Sequence, residues 1–348
     1  MNLLILNYSM NPNSLVFSHQ RVVAERLAPN FEKTFVVTSD NNLREDQVDL
    51  IIKSTNWQVG KMFRNIFSVY RLILPIVFTH RRNLVIFSHM TEVQSFLIAP
   101  ICRILGIPHF LWYAHKSKSP YLTFSFPFLT GIITSTPGSC PISGPKIHPI
   151  GQAIDQKVFN TSRLPSQNPP LRWYHIGRMD KSKNIDLIID VFKQLRKTGW
   201  RVTLDLFGDS SSESSRPYLT KLSQTYFIPE NSNWLTFHGA LQRSKIPDIA
   251  QRYDGFVHAF QGSLDKAVLE AAMCKRIVVS TNPEFESEFG CTDLSSLSAF
   301  DKLYSLMVSS LEMPAQEQKK LIRCQFDKTI RDHSLDTWIT KLMTVITN

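Results

Sequence analysis

The stretch WYHIGRMDKSKNIDLIIDVFKQLRK runs from Trp173 to Lys197. It opens on a short apolar run that stops at Gly177. A polar loop follows. Apolar residues then recur at Ile188, Val191, Phe192 and Leu195, the spacing of a helix that shows one face to a core. Strand, loop and helix in that order form the repeating unit of a parallel α/β sheet. Arg178 and Lys183 fall in the loop, just ahead of the helix. Helix N-termini favour anions, because unpaired N–H groups and the helix dipole point there. Arginine offers a planar fork and lysine a point charge, a pairing suited to a diphosphate. The same residues also fit a solvated basic loop.

The pattern repeats outward in both directions. Downstream strands are predicted at Thr203–Phe207, Leu235–Phe237, Gly255–Ala259 and Ile277–Ser280, after Arg172–Ile176 itself. Upstream they are predicted at Leu3–Leu6, Thr34–Val37, Asp49–Ile52, Leu84–Ser88, His109–Tyr113, Gly131–Thr134 and Lys146–Ile150. Helical periodicity fills the intervals, as at Gln20–Leu27 and Phe96–Leu105. Gly106 and Pro108 close the latter. Strand–helix alternation twice over predicts two Rossmann-like parallel-sheet α/β domains that face each other across a cleft. The polar, proline-rich NTSRLPSQNPP, Asn160 to Pro170, reads as the linker. The expected division is 1–157, 158–330 and a final segment 331–348.

The chain of 348 residues is long enough for two cores. No apolar run approaches the length of a membrane span, and no spanning helix is expected. MNLLILNYS lacks the basic start of a signal peptide and reads as a first strand. Five cysteines, an odd number without metal spacing, argue against a disulfide framework and fit a reducing cytosol. The net charge is +10, split as +6 up to and including Asp155 and +4 after it. No acid lies between Asp49 and Glu92, whereas Lys53, Lys61, Arg64, Arg71, Arg81 and Arg82 all fall there. A negatively charged partner is implied: phosphate, anionic lipid or nucleic acid. Within residues 53–82 the cations interleave with Phe63, Phe67, Tyr70 and Leu74. That reads either as an amphipathic surface resting on anionic membrane or as a packed helix with a basic solvent face. No nucleic-acid module accompanies the charge, so nucleic acid is not expected. The 13 glycines include no G-x-G pair, and there is no GK[ST]. A nicotinamide cofactor and NTP hydrolysis are disfavoured.

HIGRMDKSKNIDLIIDVF, LDLFGD, FHGAL, GSLDKAVLEAAMCKRIVVST and RDHSLDTWITKL occur in this order. With NPNSLVFSHQ, FSHM, LWYAHKSKS and KIHPIGQAID upstream, the chain resembles family 4 glycosyltransferases of the GT-B fold over nearly its whole length. The resemblance implies retaining transfer of a sugar from a nucleotide-diphosphate sugar, with no bound metal or cofactor. The acceptor would be a glycan or a lipid-linked sugar, in cell-surface glycan or polysaccharide synthesis at the cytoplasmic side of a membrane. The final helix would cross back to the first domain. Two other readings stay open: a nucleotide-sugar epimerase of the same fold, and a non-catalytic sugar-nucleotide-binding or scaffold protein.

The resemblance also assigns residues. Arg178 and Lys183 would clamp the donor diphosphate, and His115 would face the donor sugar at the reaction centre. Leu241, Gly262, Ser263, Leu264, Asp265, Lys266 and Glu270 would complete the donor site, with Glu270 on the ribose. The family usually carries a first glutamate where this chain has Gly262. Asp265 or Gln261 could replace it, and Asp265 equally reads as the N-cap of its helix. The loop Ser9–Ser18, usually glycine-rich in the family, reads SMNPNSLVFS here, so acceptor approach is expected to differ. His19, His89 and His238 read as structural hydrogen-bonders.

Overall fold

The computed structural model describes residues 1–14, 17–40, 50–161, 163–165, 168–210, 212–290 and 296–347. The chain forms two compact units. Unit 1 comprises Met1–Ala153 and Leu335–Asn348, and unit 2 comprises Ile154–Ser334. The proline-rich stretch after Asn160 therefore lies within unit 2.

Among the described residues, unit 1 holds seven strands: β1 (Asn2–Asn7), β2 (Thr34–Thr38), β3 (Leu50–Ser54), β4 (Leu84–His89), β5 (His109–Trp112), β6 (Gly131–Thr134) and β7 (Ile147–Pro149). They lie side by side in the order β3-β2-β1-β4-β5-β6-β7. Every pairing is parallel. Parallel strands covered on both faces need apolar side chains at every position, which is why they read as unbroken apolar runs. Alternation then divides those side chains between two faces. Leu3 and Ile5 join one core cluster, with Val23, Ala24 and Leu27 of the helix Ser18–Leu27. Leu4 and Leu6 join the other, with Val69, Ile73, Ile76 and Val77 of the helix Met62–His80.

The last helix, Leu335–Thr347, belongs to unit 1. Leu335, Trp338, Leu342 and Ile346 recur at helical spacing and enter the cluster of Leu3 and Ile5. The Trp338 ring meets Trp112 edge-on at 5.3 Å and Phe87 at 6.1 Å.

The segment Met62–Asn83 is long and apolar enough to cross a membrane by length and composition, although no single apolar run announces it. Its inner face, which includes Val69, Ile73, Ile76 and Val77, is part of the unit 1 core.

Unit 2 continues the numbering with β8 (Arg172–Ile176), β9 (Thr203–Phe207), β10 (Leu235–Phe237), β11 (Gly255–His258) and β12 (Ile277–Ser280). Their order is β10-β9-β8-β11-β12, again all parallel. The chain winds outward from β8 to β10, returns to the other side of β8, and winds outward again through β12. The reversal lies between β8 and β11. In open α/β sheets the crevice at such a reversal, outside the carboxyl ends of the strands, is where ligands bind.

Candidate functional site

The carboxyl edge of the unit 2 sheet is compact because its loops touch through glycine. Gly208 N–H donates to Gly239 O at 2.7 Å, and Gly177 N–H donates to Phe207 O at 3.0 Å. Gly208 has φ +149°, and a Cβ there would lie 1.8 Å from Gly177 O. No residue with a side chain fits that approach.

The β8 and β11 loops meet at the reversal point. Lys183 is almost wholly buried and forms an ion pair with Asp265 Oδ2. Its Nζ also sits 3.8 Å from the centroid of the Phe260 ring, a cation–π contact. Asp265 divides its oxygens. Oδ1 accepts from Ala267 N–H at 3.2 Å and so caps the helix Lys266–Met273. Oδ2 takes Lys183 and, at 3.3 Å, His258 Nε2. The two expected roles, helix cap and site carboxylate, are thus carried by one side chain. Burial pushes the Asp265 pKa up, but Lys183 and His258 together pull harder and leave it well below the usual carboxylate range. A carboxylate needs donors, so His258 presents Nε2–H to it and accepts from the Ser280 hydroxyl at Nδ1, 3.0 Å away. Burial lowers the His258 pKa and keeps the ring neutral.

Beneath His258 lies His175 of β8, stacked at 6.1 Å and 18°. Its Nδ1–H donates to Val257 O at 2.9 Å, and its Nε2 is buried without a partner. Its pKa is pushed down to about 3, chiefly by burial.

Arg178 is half-exposed, with Nη1 3.3 Å from Asp180 Oδ2. The helix Ile185–Lys197 follows, as the periodicity predicts. Its first N–H groups are not open to an anion, however. The Tyr218 hydroxyl accepts from Ile185 N–H at 3.1 Å and from Asp186 N–H at 3.3 Å. The groups at this loop that could meet an anion are therefore the two cationic side chains more than the helix start.

Glu270 is buried one turn into the next helix and meets Arg243 at 2.5 Å. Burial raises its pKa against the opposing pull of Arg243 and Lys266. The Lys266 pKa is lowered by burial and by Arg243. Leu241 packs at the edge of the unit 2 core. Ser263 and Leu264 are buried. Asn282, fully buried after β12, donates Nδ2 to the carbonyls of Phe260 at 2.8 Å, Gly262 at 3.1 Å and Ser263 at 3.2 Å. It ties down the loop that carries the site. Gln261 is committed elsewhere: its amide donates to Thr281 O at 2.9 Å and Thr281 Oγ1 at 3.0 Å.

Unit 2 thus brings together Lys183, Asp265, Lys266 and Glu270, with Arg178 on the loop leading to Lys183. Arg243, His258, Phe260 and Asn282 complete the cluster and were not expected from sequence. Arg243 follows FHGAL by two residues, and His258 and Phe260 flank the end of an apolar run, so position relative to the strand ends was the available signal. His115 belongs to unit 1, where it is exposed beyond β5 and edge-on to Tyr113 at 5.5 Å. In the same unit the loop after β1 is held by Asp40, which accepts from Ser9 Oγ at 2.7 Å and Met10 N–H at 2.6 Å. Residues 15 and 16 of that loop lie outside the described residues.

Gly262 has a local reason. A Cβ there would fall 2.0 Å from Cζ of Phe260. The ring that carries Lys183 thus occupies the space a side chain at 262 would need. Gly262→Ala is expected to destabilise the protein by about 1–3 kcal/mol through overpacking. Combined with Phe260→Ala it should cost much less than the two single changes added together, and chemical denaturation of all four forms measures the coupling. Simple additivity would mean that ring and glycine are independent.

Residues 171–289 match the family model described as Glycosyl transferases group 1. No curated protein sequence matches the chain. Solved structures give the fold of the whole chain. HepE of Anabaena in complex with UDP superposes with a TM-score of 0.75 at 15% identity, covering 100% of both chains. The same protein in complex with UDP-glucose gives 0.73 at 16%, covering 100% of this chain and 99% of that one. Sucrose-phosphate synthase of Thermosynechococcus elongatus gives 0.75 at 12%, covering 99% and 98%. The chain has the GT-B fold, and residues 171–289 of its second unit match the group 1 glycosyl transferase model.

Proposed function

We propose that the protein is a retaining glycosyltransferase that moves a sugar from a nucleotide-diphosphate sugar to an acceptor hydroxyl without a bound metal. One observation carries this reading. A buried lysine, fixed by Asp265 and Phe260, stands with Arg178 at the reversal point of a sheet that matches a glycosyl transferase domain. As the bond from the anomeric carbon to the phosphate oxygen breaks, negative charge grows on the leaving diphosphate. Cations already in place stabilise that charge with little reorganisation. The acceptor oxygen bonds to the anomeric carbon on the face the diphosphate leaves, and the acceptor proton passes to a diphosphate oxygen. Glu270 holds the ribose, and His115, from unit 1, holds a hydroxyl of the donor sugar. Unit 1 presents the glycan or lipid-linked acceptor, in a reducing compartment at a membrane surface. The UDP and UDP-glucose in the HepE structures support a nucleotide-sugar ligand.

A second reading has an observation behind it. Gly262 offers no carboxylate, and the Phe260 ring fills the space one would start from. A protein that binds nucleotide sugars without transferring them would show this. Isotope-labelled nucleotide sugars, incubated with and without candidate acceptors, separate the readings. Label moving to acceptor is expected. An epimerised donor, or binding alone, would overturn transfer. Arg178→Ala should weaken nucleotide-diphosphate affinity by one lost charge-assisted contact, about 1.5–3 kcal/mol, or roughly ten- to hundred-fold. Calorimetric titration reads this directly, and unchanged affinity would remove Arg178 from the clamp.

A further inference from the structure

The helix Met62–His80 buries one face and leaves the other without cover. On the outer face Phe63 is 90% exposed, Phe67 69% and Phe78 55%. They follow one stripe along the helix. Single exposed hydrophobes are ordinary, but a stripe of large aromatics marks an interaction surface. The surface extends beyond this helix. The helix Glu92–Ile104 packs beside it, with the Tyr70 hydroxyl donating to Leu97 O at 3.0 Å. The short helix Pro120–Ser125 packs next to that one. Both sit on the same face of the unit 1 sheet; they add exposed Ile104 and Phe124, and the short turn Phe126–Phe128 adds Phe128.

The charge around these residues has one sign. Lys61, Arg64, Arg71, Arg81, Arg82 and Arg103 are all exposed. No acidic residue occurs between Asp49 and Glu92 to pair with them. A water-facing helix usually mixes both signs. Aromatics flanked by cations suit the boundary between lipid headgroups and acyl chains. Spanning would require the helix to leave its place, yet Val69, Ile73, Ile76 and Val77 anchor it in the core. Lying on the surface keeps both faces satisfied.

We propose that this face of unit 1 docks on an anionic lipid bilayer, with Phe63, Phe67 and Phe78 inserted at the headgroup boundary and the flanking cations on lipid phosphates. The charge complementarity selects the occupant: neutral lipid would satisfy the phenylalanines but not the cations. The inference does not depend on sugar chemistry, and its test reads binding without activity.

The full chain is sedimented with phosphatidylcholine vesicles, with and without about one-third phosphatidylglycerol, at low and high salt. Binding should be strong to the anionic vesicles, weak to the neutral ones, and released by salt. Phe63→Ser with Phe67→Ser should weaken partition at least about ten-fold through lost apolar insertion. Replacing Lys61, Arg64 and Arg71 by glutamine should weaken it about five-fold per charge. Both variants should keep the wild-type circular dichroism and melting temperature. Leu297→Ser, an exposed hydrophobe of unit 2, should bind like the wild type. Binding that ignores lipid charge, or no binding, would overturn the proposal. So would light scattering that shows a wild-type dimer which the phenylalanine variant makes monomeric without any vesicle binding, because the face would then be an interface between copies of the chain.

Discussion

Lys183→Ala is expected to transfer sugar roughly ten- to hundred-fold more slowly than wild type, and to lose stability as well. The two losses have one origin. Lys183 is buried, stacked on Phe260 and paired with Asp265. Removing it takes away a charge-assisted contact to the diphosphate, about 1.5–3 kcal/mol. It also leaves Oδ2 of the Asp265 carboxylate facing His258 alone. Breaking a buried pair from one side costs about 3–5 kcal/mol, and the partial exposure of Asp265 places this site at the lower end. Two further variants separate function from fold. Lys183→Met keeps the stem over Phe260, and Asp265→Asn removes the orphaned charge. The double variant Lys183→Met/Asp265→Asn should regain most of the stability and none of the transfer. Denaturation and labelled-donor assays on the same samples read both. Transfer that returned with stability would show that Lys183 serves the fold only.

The pairing gives Asp265 a place beside Lys183 in the proposed clamp although its sequence position suggests a helix cap. Oδ1 does cap the helix, and that fixes where Oδ2 points. Oδ2 in turn sets Lys183. Asp265→Asn should therefore disturb donor binding through the lysine, even where no donor atom touches residue 265.

The central strands were legible because buried parallel strands require continuous apolar runs, the edge strands β3 and β7 being only partly buried, and the helix Ile185–Lys197 was legible because its apolar residues recur with period 3.6. Arg178, Lys183 and Glu270 were legible as candidates from the loops that follow β8 and β11. Their partners were not. Lys183 meets Asp265 across 82 residues, and Arg243 meets Glu270 across 27. Spacing within one segment carries no information about such contacts. They follow from sheet order, which places β11 beside β8 instead of beside β10. Gly262 shows the same limit. From sequence it is a missing acid, and in the structure it is room for the Phe260 ring. The exposed aromatic stripe of the helix Met62–His80 was legible in part, as an acid-free stretch with Phe63 and Phe67 among its cations, and Phe78 was not singled out. Which phenylalanines face outward depends on how the helix rotates onto the sheet.

The buried histidines predict the second large effect, a loss of stability under mild acid in both units. His175 in unit 2 and His109 in unit 1 each have a pKa near 3, set by burial. Geometry supports the direction. Among the described residues, His175 Nε2 and His109 Nδ1 are buried without partners, so a proton added there would meet no acceptor among them. In the unfolded chain each titrates near 6.5. Between about pH 6.5 and 3 the unfolded state therefore binds more protons than the folded state. Stability is fully present above that window and is lost as pH falls through it. Each histidine should cost about 1.4 kcal/mol per pH unit there, or about 2 kcal/mol between pH 6.5 and 5. Asp265 adds little between pH 6.5 and 5, because a carboxylate with a depressed folded pKa begins to lose its contribution only as pH falls into the ordinary carboxylate range, at about 4. Glu270, with its raised pKa, runs the opposite way, so variants and not the wild-type slope isolate each histidine. His109→Gln should flatten the pH dependence of unit 1 unfolding, and His175→Gln that of unit 2. Urea denaturation at several pH values, with Trp338 and Trp173 as fluorescent reporters of the two cores, measures each. A slope left intact in both variants would mean that the histidines accept protons without loss, and that the stack beneath Asp265 is not the neutral support the geometry describes.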